Sequence, residues 1–172
     1  MALIPIDRQK QIDSILDDVR LRTGKSYPEN NLLEIARELG IKVYEVDFSD
    51  HPNVRGVIQY YDEAGKYEPA IFINKNQSAT TKTFTLAHEL GHYILHKGKR
   101  RLRIDKFDYS QNTEESREET EANYFAASLL VPKEKLIRLI RLTSDKQKIA
   151  DYFGVSMPVI DTRARWIRKN NS

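Results

Sequence analysis

No cysteine occurs in the 172 residues, so the chain can build neither a disulfide framework nor a thiolate metal site. That absence fits a reducing compartment and leaves histidine, aspartate and glutamate to hold any metal ion. No apolar run approaches the roughly 20 residues needed to cross a bilayer. The opening Met1-Ala2-Leu3-Ile4-Pro5-Ile6-Asp7 turns polar too soon for the apolar segment of a secretory leader. A cytoplasmic protein with no membrane partner is the expectation. Internal repeats and low-complexity linkers are also missing.

What is present reads as an ordinary globular chain, with 40% hydrophobic and 31% charged residues. The length suits one domain with a small appendage. The expected division is a core over residues 1–131 and a helical extension over 132–172. The net charge of +3 is modest but unevenly spread. Lys97, Lys99, Arg100, Arg101, Arg103 and Lys106 form one basic cluster, and Arg163, Arg165, Arg168 and Lys169 a second. Between them, Glu114, Glu115, Glu118, Glu119 and Glu121 form an acidic block. Solvated surface accounts for such runs, and glutamates in the first turn of a helix also complement its dipole.

The most informative stretch is His88-Glu89-Leu90-Gly91-His92. On a helix, positions 88 and 92 share a face about 6 Å apart along the axis, so both imidazoles can reach one ion. Glu89, beside them, can take a proton from a water acidified by that ion and return it to a leaving amine. Phe84, Leu86, Ala87, Leu90, Ile94 and Leu95 cover the other side, so the helix is expected to be buried on one face and open on the face carrying His88, Glu89 and His92.

Residues 7–21 have helical spacing in Ile12, Ile15, Leu16 and Val19 and end near Gly24, and a second helix over 30–39 stops at Gly40. Segments 41–48, 54–61 and 70–74 read as strands, the last two joined as a hairpin by the turn at 62–65. The motif helix spans 78–96, with Gly98 as its stop. Thr113 or Asn112 caps the next helix, whose stripe is Ala122, Phe125, Ala126 and Leu129 and whose end is set by Pro132. Helices over 133–142, 145–153 and 157–168 complete the chain.

A catalytic zinc usually takes a third protein ligand and keeps one position open. His96 continues the 88 and 92 series, but a straight helix carries it another 6 Å or so along the axis. The glycine that lets a chain turn a third histidine back to the metal is absent from His92-Tyr93-Ile94-Leu95-His96. His96 is instead a candidate to line the cleft. A carboxylate from the 113–130 helix is the better ligand: Glu121 points away from the apolar stripe, while Glu118 and Glu119 flank it on opposite sides, and periodicity does not choose between those two.

The block Thr83-Phe84-Thr85-Leu86-Ala87-His88-Glu89-Leu90-Gly91-His92, followed by Glu119-Thr120-Glu121-Ala122-Asn123-Tyr124-Phe125 and on to Pro132, resembles the ImmA/IrrE family of metallopeptidases. The departures are Val131 where Met is common and Thr83 where Arg is common. The resemblance implies that the glutamate followed four residues later by Asn or Asp is the third ligand, which is Glu119, and that Asn123 orients a ligand histidine. It also implies a zinc cofactor and regulated cleavage of helix-turn-helix transcriptional repressors. The expected fold is a single zincin-like α+β domain: a small three-stranded, mostly antiparallel sheet packed on the motif helix, with several further helices.

Two more expectations concern the cleft. By analogy with other zincins, an extended substrate adds to the sheet edge at Val54–Tyr60. His96, Tyr109 and Tyr93 are candidates to donate to the oxyanion of the transition state. A rival from another class is a non-catalytic, zinc-containing regulator that binds DNA or a repressor. Its basis is Ile149–Ile160, which resembles a helix-turn-helix core with Gly154 at the turn and Ser156 as cap. The basic residues lie late in the second helix, away from the end that reads bases, so packing on the core is the stronger reading and direct DNA contact the weaker. Oligomeric state is not legible in the sequence.

Overall fold

The protein is described here from a computed structural model, which covers residues 4–97, 101–104 and 113–170, with 101–104 and 170 by backbone alone. Helix α1 (Ile6–Thr23) buries Ile12, Leu16 and Val19 and closes on Gly24, whose φ of 64° is left-handed. Helix α2 (Leu32–Glu38) opens with a capping box between Asn31 and Glu34. Strands β1 (Lys42–Val46), β2 (Val54–Tyr61) and β3 (Tyr67–Asn74) follow, then α3 (Ala79–Leu95), β4 (Arg101–Ile104), α4 (Glu114–Leu130), α5 (Lys133–Leu142), α6 (Lys146–Phe153) and α7 (Met157–Asn170).

The fold is α+β, and the three expected strands form a mixed sheet in which β2 and β3 are antiparallel and β1 runs parallel to β3. A fourth strand joins them: β4 pairs antiparallel with β2, giving the order β1-β3-β2-β4. This corrects the expected substrate edge. Val54, Gly56, Val57 and Ile58 are already paired with residues 101–104 on the side away from β3, so most of β2 is interior. Four residues of the first basic cluster's stretch are therefore sheet backbone. Gly98 and Asn112 lie outside the described residues, and the cap of α4 is Thr113, whose side chain accepts from the Ser116 amide.

Helix α3 packs across β2 and β3, α4 lies along α3, and α1 and α7 pack on α4. One apolar core runs through all of them, from Ile12 and Leu16 through Ile58, Ile71, Leu90, Phe125 and Leu129 to Leu136, Ile149, Phe153, Ile160 and Trp166. Residues on both sides of position 131 share it, and α5, α6 and α7 pack against the rest of the chain rather than standing apart from it. Among the described residues no helix is long and apolar enough to cross a membrane.

Candidate metal centre

Two glycines decide how closely other elements approach the motif helix. A Cβ at Gly91 would lie 3.1 Å from Phe125 Cδ1 and 3.3 Å from the Ala122 backbone. A residue without a side chain lets α4 come this near to α3 without crowding, and the approach puts Glu119, one turn before Ala122, beside the histidines. On the sheet side, a Cβ at Gly56 would lie 2.6 Å from Thr85 Cγ2 and 3.5 Å from Glu89 Oε1. The face expected to be open is thus enclosed: His88 and Glu89 are 0% exposed and His92 is 1% exposed.

Three side chains converge there. His92 Nε2 lies 2.9 Å from Glu119 Oε1, His88 Nε2 lies 3.0 Å from His92 Nε2, and His88 Nε2 lies 3.1 Å from Glu119 Oε2. Ligand atoms around a tetrahedral zinc with bonds near 2.0–2.1 Å are about 3.3 Å apart, so the triangle is close to the size of one face of that tetrahedron. His88, His92 and Glu119 are buried together as a group able to hold a metal ion. Burial works against ionising Glu119, but hydrogen bonding and charge from His88 and His92 outweigh it and hold its carboxyl well below the usual carboxylate range. Glu118, which periodicity left as the alternative, is also buried but is not in this group.

Around the triangle, each histidine is held at its other nitrogen. Asn123 Oδ1 lies 2.9 Å from His88 Nδ1. His96 Nδ1 lies 3.0 Å from His92 Nδ1, and His96 Nε2 lies 3.1 Å from Glu121 Oε2. Arg8 completes the series, donating through Nε to Glu121 Oε1 at 2.9 Å and through a terminal nitrogen to Oε2 at 2.6 Å. Burial pushes the Glu121 pKa up, but hydrogen bonds from His96 and Arg8 prevail and bring it down to about 2.

The three oxyanion candidates fare differently. His96 has both ring nitrogens engaged, Nδ1 with His92 and Nε2 with Glu121. Tyr93 sets its hydroxyl 3.3 Å from that of Tyr67 and stacks on Tyr60. Burial and Tyr67 push its pKa up to about 12, and its described contacts do not include the metal-ligand group. Tyr109 lies outside the described residues. Sequence spacing gives Arg8 no part in the site and turns Glu121 away from the apolar stripe, which is the direction in which His96 and Arg8 meet it.

Helix, strand and donor set together define a buried His-His-Glu centre of the metallopeptidase type. Residues 36–165 match the IrrE N-terminal-like domain of the peptidase M78 family, and the chain belongs to that family. The chain is 29% identical over 139 residues to Metallopeptidase ImmA of Bacillus subtilis (strain 168), covering 80% of this chain and 76% of that protein. A solved structure described as a Mycobacterium tuberculosis transcriptional regulator shares the fold, with a TM-score of 0.58 and 19% identity over 90% of this chain. The chain spans 47% of that structure, about half its length.

Proposed function

We propose that this protein is a zinc-dependent endopeptidase in which His88, His92 and Glu119 hold the ion and Glu89 is the general base, and that its substrate is a helix-turn-helix transcriptional repressor. The convergence of two imidazole nitrogens and a carboxylate within 3.1 Å of one another carries the reading. A donor set of two nitrogens and one oxygen, in a chain without cysteine, suits catalytic zinc. Zinc held there would supply Lewis acidity, bringing the pKa of a water toward 7 and polarising a substrate carbonyl. Glu89, next to His88 and enclosed beneath Gly56, takes the proton of the attacking water and delivers it to the leaving amine. Asn123, 2.9 Å from His88 Nδ1, would keep the His88 ring turned to the ion. The substrate assignment rests on the resemblance of the two sequence blocks to ImmA/IrrE peptidases.

The regulator reading has less support. In the α6–α7 pair Arg163 is buried, donating through Nε to the Val131 carbonyl at 3.0 Å and lying over the Tyr124 ring, so it is not available to a phosphate. Asp161, early in α7, is paired with Lys146. The test is to incubate the zinc-loaded protein with a helix-turn-helix repressor and measure intact masses, with Glu89→Gln as control. General base catalysis contributes about 10²–10⁴-fold, so the variant should keep its metal and lose cleavage by about that factor. A Glu89→Gln variant that cuts at the wild-type rate sinks the assignment, and salt-dependent DNA binding without cleavage would favour the regulator.

A further inference from the structure

Behind His92 the structure holds a continuous line of polar contacts: His92 Nδ1 to His96 Nδ1 at 3.0 Å, His96 Nε2 to Glu121 Oε2 at 3.1 Å, and Glu121 to both donors of the Arg8 fork. Three helices contribute, since Arg8 is on α1, Glu121 on α4 and His96 is the C-cap of α3. His96 is 9% exposed.

The hydrogen positions follow from chemistry. For His92 to present the lone pair of Nε2 to an ion, its hydrogen must sit on Nδ1. That N–H donates to His96 Nδ1, which must then be the bare nitrogen of a neutral ring, leaving the His96 hydrogen on Nε2. This second N–H donates to Glu121, whose two oxygens also accept from Arg8 and which is therefore a pure acceptor. Reversing the His96 tautomer would set two N–H groups against each other at His92 and a bare nitrogen against a carboxylate. The arrangement thus has one consistent assignment, fixed from the Arg8 end.

We propose that His96, anchored by Glu121 and Arg8, is a positioning residue for the metal: it locks His92 in the tautomer and ring orientation that ligation needs. The inference rests on the metallopeptidase reading above. His88 is served by a different device, the Asn123 amide oxygen at 2.9 Å. That contrast supplies the conservative substitution. Asparagine at position 96 offers an acceptor oxygen near where Nδ1 now sits, whereas leucine fills similar space and offers none.

The experiment measures zinc affinity of the full chain by competition with a chromophoric chelator, for wild type, His96→Leu and His96→Asn, with unfolding temperatures of the metal-free proteins alongside. His96→Leu should bind zinc about 10–100-fold more weakly and His96→Asn should recover most of that loss. A purely structural tie between helices would instead lower the metal-free unfolding temperature in both variants and leave zinc affinity alone. The imidazole ¹H–¹⁵N spectrum of the zinc-loaded wild type gives a readout that needs no variant, and should show a protected hydrogen on His92 Nδ1. Wild-type zinc affinity in His96→Leu, no recovery in His96→Asn, or a bare His92 Nδ1 overturns the proposal. If the wild type itself fails to bind zinc, the metallopeptidase reading fails first and this inference falls with it.

Discussion

At position 123 an amide oxygen faces His88 Nδ1, and its removal takes away that contact while leaving His88, His92 and Glu119 in place. Asn123→Ala should therefore weaken metal binding by about 10–100-fold. Glu119→Ala removes a ligand and should leave the protein metal-free after dialysis, while Glu118→Ala should retain one ion per chain, as read by elemental analysis. If Glu118→Ala is the variant that empties, the ligand assignment is wrong by one residue. The His88-Glu89-x-x-His92 nucleus was legible because its geometry is written in local spacing along one helix. By periodicity Glu119 was legible only as one of two neighbours, since about 100° of rotation separates it from Glu118, and the resemblance of the two sequence blocks to a known family is what singled it out. Arg8 was illegible for a different reason: it meets Glu121 across 113 residues of sequence, and no local pattern encodes such a meeting.

The elements meet at the two glycines. Gly91→Ala places a methyl 3.1–3.3 Å from Phe125 and from the Ala122 backbone, which cannot rotate away. Overpacking of this kind costs about 1–3 kcal/mol, and because it spreads α3 from α4 it should also lower metal affinity. Gly56→Ala meets the Thr85 methyl at 2.6 Å, and Thr85 is fully buried with a stiff χ1. It should destabilise by a similar amount, and adding Thr85→Ser, which removes that methyl, should restore part of the loss in urea unfolding. The helices were legible from period and caps: the reading of 133–142 coincides with α5, and that of 7–21 lies within α1. Strand β4 was not legible as a strand. Arg101-Leu102-Arg103-Ile104 alternates, but over only four residues, the shortest run from which a strand can be argued, and its charge read as surface. Pairing with β2 decides it, and pairing is not local.

Across the whole molecule, Asp13 of α1, Tyr124 of α4 and Arg163 of α7 tie the first, central and last helices together, with the Tyr124 hydroxyl donating to Asp13 at 3.0 Å. Burial pushes the Asp13 pKa up, only partly offset by Arg163 and Tyr124. A carboxyl raised in the folded state contributes stability that is fully present below its unfolded pKa, near 3.9, and is lost as pH rises through the folded value. Asp13→Asn keeps an acceptor for Tyr124 and cannot ionise. Its stability relative to wild type should therefore rise from about pH 4 upward and then level off, as read from urea midpoints across that range. A difference that falls with pH would reverse the sign of this argument.

The ligand triangle is sealed inside that same packing, with His88 at 0%, His92 at 1% and Glu119 at 7% exposure. Ligands this enclosed give a chelator in solution nothing to grip until the packing around α3 opens, and a substrate carbonyl must wait on the same opening. With chelator in excess, the rate of metal loss should then reach a ceiling set by the protein and stop responding to chelator concentration, matching the rate at which the α3 amides exchange with solvent. Retention of the ion becomes a clock for the opening of the helix pair, running on the breathing of the fold and not on the strength of the bonds to the metal.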